Sequence, residues 1–268
     1  MPVERPAASA SAPATSRQEV VEAAVKLADE EGIEAVSMRR LAERLGVGTM
    51  TPYTYVESKE ELLDLMRDEV ARAMLVPEPL PRDWREALRQ IALRTRAALE
   101  AHPWAASARP HGLRVRINLA RHIEQSASVV ETLGVDPKVG AAALAAVDDY
   151  VIGHCLRLRA RQRVLRARRA AVAAGQPPGP VIDPAVEAAI ESGELARVGR
   201  IFAARAESGR LAVAPASDFE QGLEWLLDGI ERATRQGVYE WLLDGAEADP
   251  DEGTAEVADG LAERSEPR

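Results

Sequence analysis

The sequence predicts an all-α protein, with a small helical bundle at the N-terminus and a larger helical domain after it. Three observations carry this reading. Ala, Leu, Arg and Glu are abundant while aromatic residues make up only 4%, a balance that favours helix over strand. Apolar residues recur at helical spacing along most of the chain. Helix punctuation is frequent, as capping serines, terminal glycines and prolines. The 268 residues suit one small and one medium domain.

Charge and special residues narrow the functional classes. A formal net charge of −9 excludes general, charge-driven binding of nucleic acid, so any such contact must come from a local patch. No run of eighteen apolar residues and no charged leader followed by an apolar stretch occurs, so neither a membrane span nor a secretory signal is expected. The single cysteine, Cys155, cannot close an intramolecular disulfide and fits the reducing cytoplasm. No glycine-rich phosphate loop, nucleophile elbow or zinc-finger spacing is present, so no catalytic residue, cofactor or metal is assigned. His102, His111, His122 and His154 are too scattered to suggest the three or four converging ligands a metal needs.

Element by element, residues 1–15 are expected to be a disordered tail of Ala, Ser and Pro. Ser16 to Glu19 reads as a capping box opening a helix, with Val20, Ala24, Leu27 and Ala28 inward and Gly32 as a left-handed cap. Ser37 caps a short helix whose Met38, Leu41, Ala42 and Leu45 share a face. Gly46-Val47-Gly48 breaks it, and a further short helix is expected from Thr49 to about Val56. Ser58 to Glu61 reads as a second capping box, followed by inward Leu62, Leu65, Met66 and Val70. Pro77, Pro79 and Pro81 mark a stiff boundary between a domain at 16–76 and one at 82–243. In the second domain, helices are expected over 83–101, about 113–133, 137 to as far as 174, 184–192, 195–207, and from Ser217 onward through Trp241. Residues 244–268 are acidic with little apolar content and read as a second disordered tail.

The informative stretch runs from Ser37 to Val56. A short amphipathic helix, a glycine-containing turn and a second short helix form the layout of a helix-turn-helix. Leu41, Leu45, Val47 and Val56 hold the pair inward. Gly48, Thr49, Met50, Thr51, Tyr53, Thr54 and Tyr55 are offered outward. They are small or hydroxyl-bearing for the most part, with no carboxylate among them, as entry into a DNA major groove requires. Tyr53 is expected to pack as well as donate to phosphate, and Tyr55 to be the more exposed of the two.

On these residues the chain resembles the tetracycline-repressor (TetR/AcrR) family of bacterial regulators. The resembling pattern is Gly32-Ile33-Glu34-Ala35-Val36-Ser37, Leu41-Ala42, Leu45-Gly46-Val47, Tyr53, Val56 and Lys59-Glu60-Glu61-Leu62-Leu63, within about residues 17–75. The resemblance implies a three-helix DNA-binding bundle followed by a helical ligand-binding and dimerisation domain. It implies a homodimer, double-stranded operator DNA and a small-molecule effector as partners, and repression rather than activation. Arg39 would approach a base or phosphate, as would Ser37. Thr49, Met50, Thr51, Thr54 and Tyr55 would face bases or nearby backbone, and Tyr53 and Lys59 would hold phosphates. Pro52 departs from the leucine-like residue usual at its place, which bears on the recognition helix. His102-Pro103-Trp104 and the long helix after Pro137 resemble members close to the tetracycline repressors themselves. There, the helices at about 137–165 and 217–236 would form a four-helix dimer interface, with Gly222 and Gly229 allowing close approach. Trp104, Asn118, His122, Asp148, His154 and Trp225 are the candidates for lining an effector pocket.

Other readings attach to single features. The rival to a regulator is an all-helical small-molecule binder or enzyme whose helix-turn-helix is architectural, with His122, Asp148, Asp149 and His154 as its titratable groups. The arginine run from Arg157 to Arg169 reads as the solvated face of a long helix with Leu158 and Leu165 buried, able to pair with the acidic tail, in preference to a second nucleic-acid patch. Cys155 reads as a small buried hydrophobe rather than a redox sensor.

Overall fold

The computed structural model describes residues 16–107, 115–176, 182–207 and 216–236. Among these residues all regular structure is helical. Residues 1–15 and 244–268, His111 and the stretch through Trp241 lie outside the described residues.

Three helices build the N-terminal part. Helix α1, Arg17–Glu31, starts at a complete capping box: the Ser16 hydroxyl accepts from the Glu19 N–H and the Glu19 carboxylate accepts from the Ser16 N–H. Val20, Ala24, Leu27 and Ala28 all face the core. Gly32 ends the helix with φ +92° but ψ 158°, a conformation open to glycine that extends the chain instead of forming the left-handed cap expected. Helix α2, Met38–Leu45, is capped by Ser37. Gly46 closes it at φ +67°, ψ 29°, the left-handed cap a residue with a Cβ resists. Helix α3, Lys59–Met74, is capped by Ser58. The reciprocal half of the second capping box is shifted by one residue, because the Glu61 carboxylate accepts from the Glu57 N–H and also meets Arg17. Leu62, Met66 and Val70 are buried, and Leu65 only partly.

The second part begins with α4, Trp84–Ala101, and α5, Ile117–Glu131. The latter starts later than its periodicity suggests, with non-helical Val115 and Arg116 before it. Helix α6, Pro137–Ala173, is 37 residues long, with Asp136 as its cap and Pro137 in its first turn. Two short helices follow, α7 (Pro184–Glu191) and α8 (Ala196–Glu207), and then α9, Ala216–Gln236. Every buried residue of α6 lies before Leu156. One eighteen-residue window of α6 reaches a mean hydropathy of 1.3, high enough by composition to cross a membrane. That apolar character serves packing against α4, α5 and α9, and Asp148 and Asp149 stand exposed on the same helix.

Two apolar clusters result. The first gathers α1, α2 and α3 with Val56, and takes in Ala98 and Trp104 from beyond the proline break. The second gathers α4, α5, α6 and α9 around Phe219, Leu223, Leu227, Leu88 and Val151. On α9 the buried position is Leu227, with Leu226 only partly covered. Gly222 is demanded within the protomer itself. A Cβ there would run into the hydroxyl of Tyr150, which donates to the Phe219 carbonyl at 2.8 Å. Gly229 meets nothing within 4 Å.

His122 on α5 is only 6% exposed, and its Nδ1 has no hydrogen-bond partner. Burial holds its imidazole below the usual 6.5. The unfolded chain therefore takes up a proton below pH 6.5 that the folded protein refuses, so stability is full above that pH and falls as pH is lowered towards the folded pKa. Replacing His122 with Leu is expected to flatten this decline. The check is urea unfolding of both proteins across the acid range, read as the difference between their slopes.

Candidate nucleic-acid interface and the joint behind it

The segment after α2 is where structure and sequence expectation diverge most. Instead of a short α-helix over Thr49–Val56 there is one 3-10 turn, Thr51–Thr54. Pro52 has no N–H to complete an α-helical bond to Gly48. The bonds on either side close three residues back: Thr51 N–H to Gly48 O at 2.9 Å, Tyr53 to Met50 and Tyr55 to Pro52 at 3.1 Å each. The cap of α3 at Ser58 leaves no room for a further turn. Pro52 itself is buried, as is Val56, so the turn is pinned from below by two apolar side chains.

That anchoring decides what faces outward. Met50 is 70% exposed and Tyr53 48%. Gly48, Thr49, Thr54 and Lys59 are exposed, while Ser37 and Thr51 are half-buried. The Thr54 hydroxyl donates back to the Thr51 carbonyl at 2.7 Å. The expected roles of the two tyrosines are exchanged. Tyr55 packs against the first apolar cluster, and Tyr53 stands in solvent, because Tyr55 follows the turn on the same inward side as Val56.

The electrostatics of this face are local. Arg40 pairs with Glu31 at 2.7 Å, and Arg44 makes a two-pronged pair with Glu30 at 2.6 and 2.7 Å. Both guanidiniums are thereby tied back to the end of α1. Arg39 is the outlying one, with 76% of its side chain exposed and only a 3.4 Å contact to Glu43, itself exposed. Together with Lys59 it supplies positive charge beside the exposed turn.

Behind this face, carboxylates of α1 and α3 bind the second part of the chain. Asp29 on α1 accepts from the Trp104 indole N–H at 2.7 Å and contacts His102 Nδ1 at 2.9 Å. Asp68 on α3, buried at 9% exposure, accepts from the backbone N–H groups of Asn118 and Leu119 at 2.9 and 3.2 Å and from the Asn118 amide at 3.0 Å. Arg116, the N-cap of α5, offers no side-chain cap of its own, so a carboxylate from another helix does that work. Gln125 bonds both backbone groups of Val76. These joints were not readable from sequence, since their partners lie 49 to 75 residues apart.

The six candidate pocket residues stand in different settings. Trp104 and Asn118 are engaged in the joints just described. Asp148 is exposed and needs no buried partner. Trp225 is 68% exposed and points away from the interior. His154 is buried with its ring against Phe219 at 4.8 Å. His122 alone combines burial with an unpartnered polar atom. A cavity of about 230 Å³ lies between Leu99, Pro103 and Ala106 on one side and Cys155, Leu158 and Arg159 on the other. Burial, aided by Glu100, raises the Cys155 thiol to about 11, so it remains protonated and packs as an apolar group. Among the described residues no group of His, Cys, Asp or Glu gathers as a metal ion would require. Replacing Asp68 with Ala strands the first N–H groups of α5 and is expected to cost about 1–3 kcal/mol. Urea unfolding checks this, with Asp68→Asn, which keeps one acceptor, expected to lose less.

Comparison with known proteins places this architecture. Residues 20–66 match the family model of bacterial regulatory proteins of the tetR family, and residues 76–198 match that of the tetracyclin repressor-like C-terminal domain. The HTH-type transcriptional repressor DrrR1 of Streptomyces coeruleorubidus is 39% identical over 152 residues, 53% of each chain. The chain thus spans about half the length of that relative. The class D tetracycline repressor protein of Escherichia coli is 30% identical over 61% of this chain and 75% of its own. Among solved structures, Streptomyces coelicolor ActR in complex with actinorhodin superposes with a TM-score of 0.63 at 26% identity, covering 85% of this chain and all of that one. With both halves matched in order and a helix-turn-helix at the front, the chain belongs to the TetR family of bacterial regulatory proteins.

Proposed function

We propose that this protein is a ligand-responsive transcriptional regulator, a repressor released from a palindromic operator by a small-molecule effector. The observation that carries the reading is the exposed, carboxylate-free turn pinned by Pro52 and Val56, with Met50 and Tyr53 in solvent. Thr49, Met50, Tyr53 and Thr54 would meet base edges or the nearby backbone. Gly48 permits close approach, and Arg39 reaches a base or phosphate. Ser37, Thr51 and Lys59 line the phosphates. Tyr55 supports the turn from within. Relatives named as repressors support the direction of regulation, and the actinorhodin complex of ActR supports a small-molecule effector.

The response would run through the joints. An effector held among α4, α5 and α6, near His122 or the cavity beside Cys155, shifts those helices relative to α3. The Asp68 and Asp29 contacts convert that shift into a movement of the reading heads. In a homodimer two such heads must match half-sites about 34–36 Å apart. The exposed Ile152, Leu156 and Trp225 on α6 and α9 are the apolar groups a second copy would cover. A coupling of about 1–3 kcal/mol lowers operator affinity roughly 5–150-fold. Work on chromosomal DNA places the protein in the cytoplasm, and the reading assigns it no catalysis.

Mobility shifts on the DNA upstream of the protein's own gene, with competitor present and at two salt concentrations, test the reading. Met50→Ala and Arg39→Ala are expected to weaken the specific complex by about 1–3 kcal/mol each. Lys59→Ala is expected to weaken all sequences alike and to reduce the salt slope by about one. None should alter thermal unfolding, since all three side chains are exposed. A specific complex whose affinity ignores all three substitutions would overturn the assignment of this face.

A further inference from the structure

The second half of α6 carries seven arginines between Arg157 and Arg169 with no carboxylate among them. Several arginines elsewhere are matched: Arg40, Arg44, Arg85, Arg89 and Arg96 each meet a Glu or Asp within 3.2 Å. Among the described residues, Arg157, Arg161, Arg163, Arg166, Arg168 and Arg169 enter no ion pair. Arg157, Arg163, Arg166 and Arg169 are exposed. At about 100° per residue, Arg163 and Arg166 fall on one side of the helix and Arg157, Arg161 and Arg168 on another, so the stretch is basic nearly all round. The crowding is felt at its base, where burial and then Arg163 push the Arg159 guanidinium below its usual range, even as it donates to the Pro103 carbonyl at 2.7 Å.

The complementary charge lies in the same chain. Residues 244–268 hold nine Asp and Glu against Arg264 and Arg268. The geometry lets them meet. Arg96 stacks over Phe219, Arg89 pairs with Glu224 and Arg85 with Glu231, so α9 runs antiparallel to α4. Its end at Gln236 lies by the start of α4, while the arginine stretch leaves from the other end, beside Leu99 and Pro103. The return path is the length of α4, about 27 Å, plus about 18 Å along the arginines. An extended chain from Gln236 to Asp249 covers about 43–47 Å, so the carboxylates from Asp249 to Glu266 come within reach.

We propose that the acidic segment 244–268 docks on the arginine half of α6. Its effect is to neutralise a second polycationic surface, which would otherwise attract phosphate backbones regardless of sequence, and so to leave DNA contact to the helix-turn-helix.

The test uses the full chain with Arg166→Lys and Arg169→Lys, which keep the charge and supply amines. A water-soluble carbodiimide joins such an amine to a carboxylate in direct contact, and mass spectrometry identifies the linked peptides. Cross-links from the two new amines to carboxylates of 244–268 are expected at about 0.01 M salt. They should disappear at about 1 M salt, where the screening length is about 3 Å. Cross-links to other carboxylates only, or none at all, would overturn the proposal. In a second arm, Gln replaces Arg161, Arg163, Arg166, Arg168 and Arg169, and limited proteolysis within 244–268 is expected to accelerate. Unchanged cleavage together with weaker binding to non-operator DNA would assign the face to phosphate instead.

Discussion

A single helix carries the mechanical continuity of this protein. Helix α3 places Leu62, Met66 and Val70 in the first apolar cluster, and Met74, at its end, packs against both. Midway along it, Asp68 is buried and bonded to the open end of α5. A carboxylate in that position is tolerable only because three N–H groups converge on it. The requirement works in both directions: α5 cannot start elsewhere without orphaning its N–H groups, and α3 cannot rotate without leaving a bare charge in a dry place. The Asp29 contact to Trp104 and His102 adds a second fixed point off the axis of α3. With two attachment points, the N-terminal bundle has a defined orientation relative to the helices behind it.

Much of this was legible in the sequence where the information is local. Capping serines, the glycine stop at Gly46, the Pro137 start and the length of α6 are decided by a few neighbouring residues, and the structure follows them closely. At Thr51–Thr54 the sequence shows a short helix containing a proline, and only the structure shows that the missing N–H of Pro52 and the nearby cap at Ser58 hold it to a 3-10 turn. The exchange of Tyr53 and Tyr55 follows from the same turn, since a 3-10 turn rotates each later side chain further than an α-helix does. Asp68, Asp29 and the role of Gly222 carry no local signature at all. They become visible only when chain segments far apart in sequence are laid side by side. Two of the pocket candidates have a role that sequence does not announce: polar residues in a helical protein also tie helices together, and Trp104 and Asn118 do that here.

On the proposed function, the charge distribution accounts for DNA contact by an acidic protein. Glu30 and Glu31 pair with Arg44 and Arg40, which ties both guanidiniums back to α1 and offsets two cations near the exposed turn. Arg39 and Lys59 are left flanking a turn with no carboxylate of its own. At ordinary ionic strength the rest of the negative charge is screened beyond about 8–10 Å. On that reading the local sign governs contact, while the overall sign discourages indiscriminate association.

The buried proline beneath the exposed turn separates two demands that often conflict. Pro52 and Val56 carry the fit of the segment to its own domain, while Thr49, Met50, Tyr53 and Thr54 contribute little to that fit. Substitutions at the outer positions can therefore accumulate without threatening the folded state. If those outer positions read DNA as proposed, the preference for one nucleotide sequence over another is free to drift, or to be redesigned, on a scaffold that does not change with it.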